Sequence, residues 1–170
     1  MAALALASAI APACTEGMIE EGPAIGVRAD LVLAGTATAS SIQATGYEAA
    51  KAVDNNTSTR WSSQFSDPQW ITVDLGAIKS INEVKLSWEA AYGKAYQLRA
   101  STDNATWTTI ESVTAGDGGV DDFTGLSVSA RYVQMYGTAR ATQYGYSLWE
   151  MTVIAPDATT GAAGAGGAGG

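Results

Sequence analysis

The chain has 170 residues, 9 Lys plus Arg against 17 Asp plus Glu, no histidine and a single cysteine, for a formal net charge of -8. That length holds one ordinary domain and some tail, which excludes a large multidomain enzyme, and the acidic balance has the wrong sign for nucleic-acid phosphates or anionic lipid. Without histidine and with one thiol, His-based acid/base chemistry, Ser-His-Asp and Cys-His nucleophiles, His-ligated zinc and an intrachain disulfide all drop out.

What remains suits binding. Charged residues make up only 15% of the chain, while Gly reaches 19, Trp 5 and Tyr 7, a profile that fits an extracellular β module with many short strands and turns.

Residues 1–14 read as a signal peptide or lipoprotein leader, because the run AALALASAIAPA is apolar, of h-region length and too short to span a bilayer. Cys14 follows small residues, as the cysteine of a bacterial lipoprotein does. The large aliphatic residue expected three places earlier is Ala11, and no positive segment follows Met1. A lipid anchor at Cys14 and an inert cysteine beside a cleaved leader both stay open. Residues 15–29 form a linker, and the folded unit is expected at 30–155.

Helix is expected only as a turn or so near residues 46–51. Strands follow from alternation: Ile71, Val73 and Leu75 share one face of residues 70–75, and Val84, Leu86 and Trp88 share one face of 84–89. Glu89 then emerges at a strand end. Residues 96–100 and 107–110 form a hairpin around Thr102-Asp103-Asn104, the glycine-rich 116–119 is the next turn, and 132–136 and 148–154 are the last strands. The expected fold is all-β, an antiparallel sandwich or jelly roll. Trp61, Trp70, Trp88, Trp107 and Trp149 are assigned to its core. Asp121-Asp122 is read as a loop, since adjacent carboxylates in extended chain point opposite ways and do not make a hydrolytic pair. Residues 156–170 are a Gly/Ala-rich flexible linker, either a tether to a further domain or a free tail.

Four strings, KAVDNNTSTRW at 51–61, QWITVDLG at 69–76, VKLSWEAAY at 84–92 and YGYSLWEMTV at 144–153, together resemble the discoidin or F5/8 type C fold. More narrowly they are similar to family 32 carbohydrate-binding modules, including those attached to bacterial chitosanases and β-1,3-glucanases. The resemblance spans about 34–155. It implies a discoidin-like sandwich that binds glycans through loops at one end, without catalysis.

Two constellations gain meaning from it. In the loop DNNTST at 54–59, hard oxygen donors are dense enough to wrap one cation, and calcium fits them better than zinc. The resemblance implies a structural Ca2+ held by the Lys51 carbonyl, Asp54, Asn56, Thr59 and Glu150. The bland alternative is an Asx/Thr-rich turn with no metal. The sequence departs from the family at Asn55, where glycine is usual, and asparagine tolerates the left-handed backbone such a turn needs.

The second constellation is the sugar site. A sugar is held by an aromatic platform and by charged or amide groups on its hydroxyls. The resemblance places Gln43, Arg60, Phe65, Glu89 and Tyr144 around the ligand, with Tyr92 and Tyr146 in reserve. Glu89 would accept hydroxyl or ammonium protons, Arg60 would donate while a carboxylate orients it, and Tyr144 or Phe65 would stack on a pyranose. Chitosan-binding relatives carry a second acidic residue near the positions of Gln43 or Phe65, and these are neutral here. The expected ligand is therefore a neutral β-1,3-glucan first and a chitosan or glucosamine oligomer second, with cell-surface protein adhesion as a third function class. The expected place is secreted or on the outer cell surface.

Overall fold

The computed structural model describes residues 31–156, so the expected leader, Cys14, the whole N-terminal linker and all of the C-terminal Gly/Ala segment but Pro156 lie outside the described residues. Eight strands follow in order: β1 (Leu31–Val32), β2 (Thr36–Ala39), β3 (Trp61–Ser62), β4 (Gln69–Trp88), β5 (Gly93–Ser101), β6 (Thr108–Val113), β7 (Val120–Arg140) and β8 (Ser147–Ala155). One short 3-10 helix, Ala49–Ala52, sits where the sequence suggested a turn of helix. No helix among the described residues is long and apolar enough to cross a membrane.

All pairing is antiparallel. The two long strands generate both layers. The first part of β4 pairs with β2 and with the last part of β7, which continues to β5 and β6. The second part of β4 pairs with the first part of β7 and with β8, which carries β1 and β3. The register shifts between Asp74 and Lys79, where Gly76 takes φ +75°, a value that side-chain-bearing residues rarely adopt. The Gly76 N–H donates to Asp74 Oδ1 at 2.8 Å and fixes that bend. The runs 70–75 and 84–89, read from the sequence as two strands, are thus the two ends of one strand that passes from layer to layer.

The alternation predicted for those runs fills the core. Ile71, Val73, Leu98, Val133 and Met135 from one layer join Val84, Leu86, Trp88, Met151 and Val153 from the other in a single buried cluster. Each fully buried aliphatic side chain contributes roughly 1.5–3 kcal/mol relative to exposure. This is the discoidin-like β-sandwich that the motifs imply.

Three tryptophans depart from expectation. Trp61 and Trp88 are core, but Trp70, Trp107 and Trp149 are only half-buried, because they occupy positions opposite in phase to, or outside, the inward-facing residues. Asp121 and Asp122 lie in β7 rather than in a loop. Asp121 Oδ2 accepts from Trp88 Nε1 at 2.7 Å and from the Tyr96 hydroxyl. Burial, and then Asp121, pushes the Tyr96 phenol well above its ordinary pKa. The two side chains part ways: one closes a hydrogen-bond network at the core edge and the other ion-pairs with Lys85.

Candidate sugar-binding site

At the end of the sandwich where β4 leaves toward β5, a depression of about 330 Å³ is lined by Gln43, Arg60, Ser62, Glu89, Ala90, Ala91, Thr142 and Tyr144. Four of the seven residues expected to bind ligand therefore converge there. Each arrives on a different segment. Gln43 is held by its N–H donating to Ser62 O at 2.7 Å, while Ser62 Oγ donates to Gln43 Oε1 at 2.9 Å. Glu89 follows the last residue of β4; its N–H donates to Ser147 O at 3.0 Å, and its carboxylate accepts from Ala91 N–H at 3.0 Å.

Tyr144 is 53% exposed and Phe65 48%, and their rings meet edge to face with centroids 5.6 Å apart. They make an aromatic rim beside the polar floor. The rim is braced from behind. Arg140 Nε donates to Asp67 Oδ2 at 3.1 Å, and Arg140 Nη1 donates to the carbonyls of Gln143 and Tyr144 at 3.2 Å. Next in sequence, Gly145 lies so close to Ser63 that a Cβ there would stand 2.5 Å from Ser63 O, so only glycine lets this segment settle and present Tyr144.

Two reserve residues are not in the site. Tyr146 is fully buried, with its hydroxyl donating to Asp67 Oδ1, and burial followed by Asp67 raises its pKa well above the ordinary phenol value. It braces the loop that carries Phe65 and does not line the depression. Tyr92 is half-buried, packs against the core beside Gly118, and does not line the depression although Ala91 before it does.

Arg60 lines the site as expected, but among the described residues no carboxylate pairs with it. Its guanidinium carbon lies 4.9 Å from the Tyr47 ring centroid and 5.3 Å from that of Trp149, and its buried Nε has no hydrogen-bond partner. The sequence marks Trp149 only as a core residue and Tyr47 not at all; the antiparallel register that pairs Trp61 with Leu148, and so sets residue 60 opposite 149, finds the first, and the Ser62 N–H bond to Tyr47 O finds the second.

The oxygen-rich loop is built as the motif suggested, with Asn55 at φ +57° in the position usual for glycine. Thr59 Oγ1 donates to Asp54 at 2.9 Å, and Asn56 N–H lies 3.1 Å from Asp54 Oδ1 and 2.8 Å from Glu150 Oε1. Two acidic side chains thus meet at one amide. Burial and, among lesser causes, the charge of Asp54 hold the Glu150 pKa above its ordinary value, which is the electrostatic setting a cation relieves. Lys51 Nζ, 3.7 Å from Asp54 Oδ2, is a partial counter-ion. No three acidic, His or Cys side chains converge among the described residues, so amide, hydroxyl and backbone oxygens must complete a hard-cation shell. The donors present fit that chemistry.

A model of the F5/8 type C domain matches residues 36–151. The chain belongs to the F5/8 type C family. Among solved structures, this F5/8 type C domain is similar to chitosan-binding module 1 of a chitosanase/glucanase from Paenibacillus sp. IK-5, at 50% identity and a TM-score of 0.69 over 74% of this chain and 98% of that one. Chitosan-binding module 2 of the same enzyme, solved in complex with chitotriose, is 48% identical with a TM-score of 0.68, covering 71% and 96%. A curated relative, the polysaccharide lyase 8 family protein HylA of Enterococcus faecalis, is 38% identical over 87 residues. That match takes in 49% of this chain and 6% of the relative, so the chain spans a small part of that protein's length.

Proposed function

We propose that this domain is a non-catalytic carbohydrate-binding module whose ligand is a β-linked glucosamine oligomer of the chitosan type. The observation that carries the reading is the convergence of Glu89, Arg60, Gln43 and Tyr144 on one depression with an exposed aromatic rim. A ring stacked on Tyr144 or Phe65 brings its edge substituents over the polar floor, where Glu89 receives an ammonium or hydroxyl and Arg60 and Gln43 serve ring hydroxyls. The identity to two chitosan-binding modules supports the amine-bearing sugar. Glu89 supplies the one negative charge such a sugar needs. Most glycoside hydrolysis uses a pair of carboxyl groups flanking the bond, and Glu89 is the single acid lining the depression.

A second reading, a neutral β-1,3-glucan, is favoured by Gln43 and Phe65, which put no further charge at the ligand. The same proposal includes a structural calcium ion at Asp54, Asn56, Thr59, Glu150 and the Lys51 carbonyl, and a place outside the cell where such polymers lie.

Calorimetric titration of the full chain with glucosamine oligomers and with β-1,3-glucan oligomers decides between the readings. Binding of the glucosamine series, weakened at least tenfold by Glu89→Gln and by raising pH until the sugar amine is neutral, supports the first. Binding of the glucan alone, indifferent to both changes, overturns it in favour of the second. Heat from neither, with reducing ends released from neither, removes the glycan reading altogether.

A further inference from the structure

Arg60 is the cation of the depression, yet nothing anionic restrains it: none of the ion pairs among the described residues includes it, and its buried Nε lacks an acceptor. Arg60 is half-buried with its Nε shielded from solvent, and a shielded polar nitrogen is ordinarily hydrogen-bonded, so a different force holds this one. Two rings stand within cation–π range of it, Tyr47 at 4.9 Å and Trp149 at 5.3 Å. Neither ring lines the depression itself.

Resting on the carbohydrate-binding reading, we propose that Tyr47 and Trp149 are positioning residues, which fix the Arg60 guanidinium for ligand while leaving its donors unspent. A carboxylate partner would occupy N–H groups in a bidentate bond. An aromatic ring attracts the charge and consumes none of the five donors. Holding the long side chain in place before binding also removes part of the ordering cost that a free arginine would add on association.

The fold supplies both rings by backbone means. Trp61 pairs with Leu148 across β3 and β8, which brings Trp149 opposite Arg60. Tyr47 is tied to β3, because Ser62 N–H donates to Tyr47 O at 3.3 Å, and its own N–H closes a local turn onto Ala44 O at 3.2 Å. Trp149 and Tyr47 are half-buried and belong to no other described ring pair, so this contact accounts for two aromatics that the core does not absorb.

The test is a double-mutant cycle on the full chain with glucosamine oligomers as titrant. Trp149→Leu and Tyr47→Leu are each expected to weaken binding about tenfold, Trp149→Phe and Tyr47→Phe to recover most of that loss, and Trp149→Leu to cost nothing further in an Arg60→Ala background. Losses that multiply in the double variants, or leucine variants that bind as the parent does, overturn the proposal. A second readout needs no sugar. In the wild-type chain the Arg60 Nε–H resonance is expected to be displaced upfield by ring current and to return toward the free-arginine position in Trp149→Leu. A wild-type resonance already at the free-arginine position overturns the positioning role whatever binds. A displaced resonance in a chain that binds no glycan retains it and removes only the sugar.

Discussion

Tyr144 and Tyr146 stand two residues apart, one exposed in the rim and the other buried against Asp67, so their substitutions separate recognition from folding. Tyr144→Ala removes a stacking surface worth about 0.5–1.5 kcal/mol beyond its area, and should weaken oligosaccharide binding roughly threefold to tenfold with the melting temperature unchanged. Tyr146→Phe removes the hydrogen bond from the buried Tyr146 hydroxyl to Asp67, whose partly exposed carboxylate keeps Arg140 and solvent, and should destabilise the fold by about 0.5–1.5 kcal/mol. Calorimetry and thermal denaturation of both variants check this; equal effects on binding and stability in the two would defeat the division. The sequence could not make it, because both tyrosines flank the same glycine in an aromatic, loop-like string. Gly145 marks the turn, but the side of the chain on which each ring falls depends on Ser63 beneath it. Arg60 illustrates the same limit: its place in the site was legible from the motif, whereas Trp149 comes to it by strand register and Tyr47 by the loop that bonds to Ser62.

Among the elements, the alternating strands were legible because one face of each is buried, and the side-chain period of two leaves a clear trace in residues such as Ile71, Val73, Val84 and Leu86. The continuity of β4 and β7 was not, since the bend between Asp74 and Lys79 breaks the period and resembles a loop. The β5–β6 hairpin was read correctly, and its turn has an electrostatic signature. Asp103 Oδ1 accepts from Ala105 N–H at 2.9 Å, Thr106 N–H at 2.8 Å and Ser101 Oγ at 2.9 Å. Those bonds, the Thr106 amide first, hold its pKa down to about 2 from an ordinary 3.8. A carboxyl group depressed in the folded state stabilises the fold fully above the unfolded value, and the gain is lost as pH falls through the folded one. Asp103→Ala should therefore lower the melting temperature at pH 7, with the difference from wild type shrinking between pH 4 and pH 2. A difference that stays constant across that window would show that the turn does not depend on the charge.

The whole molecule is closed by the oxygen-rich loop, because Asn56 donates to Glu150 across 94 residues of sequence and joins the segment before β3 to the last strand. Arg60 follows Thr59 and Trp149 precedes Glu150, so the same closure sets the backbone of the proposed arginine cradle. The resemblance already implied that Glu150 joins the loop, and the fold brings the two together through the Asn56 amide. A cation bound by Asp54, Asn56, Thr59 and Glu150 would bind the folded state alone, since the unfolded chain does not gather these oxygens. At a free calcium concentration one hundred times the dissociation constant the stabilisation is about 2.7 kcal/mol, on the order of 10 °C for a domain of this size. Thermal denaturation with added calcium, against the same protein in a chelator, should show that rise. Glu150→Gln keeps an oxygen acceptor for Asn56 but removes one of the two negative charges beside it. The variant should lose most of the calcium-dependent increment while melting no lower than wild type in chelator, because like-charge repulsion with Asp54 has gone. A wild-type melting temperature indifferent to calcium would reduce the loop to a hydrogen-bonded turn, and equal calcium increments in the two proteins would move the ion elsewhere.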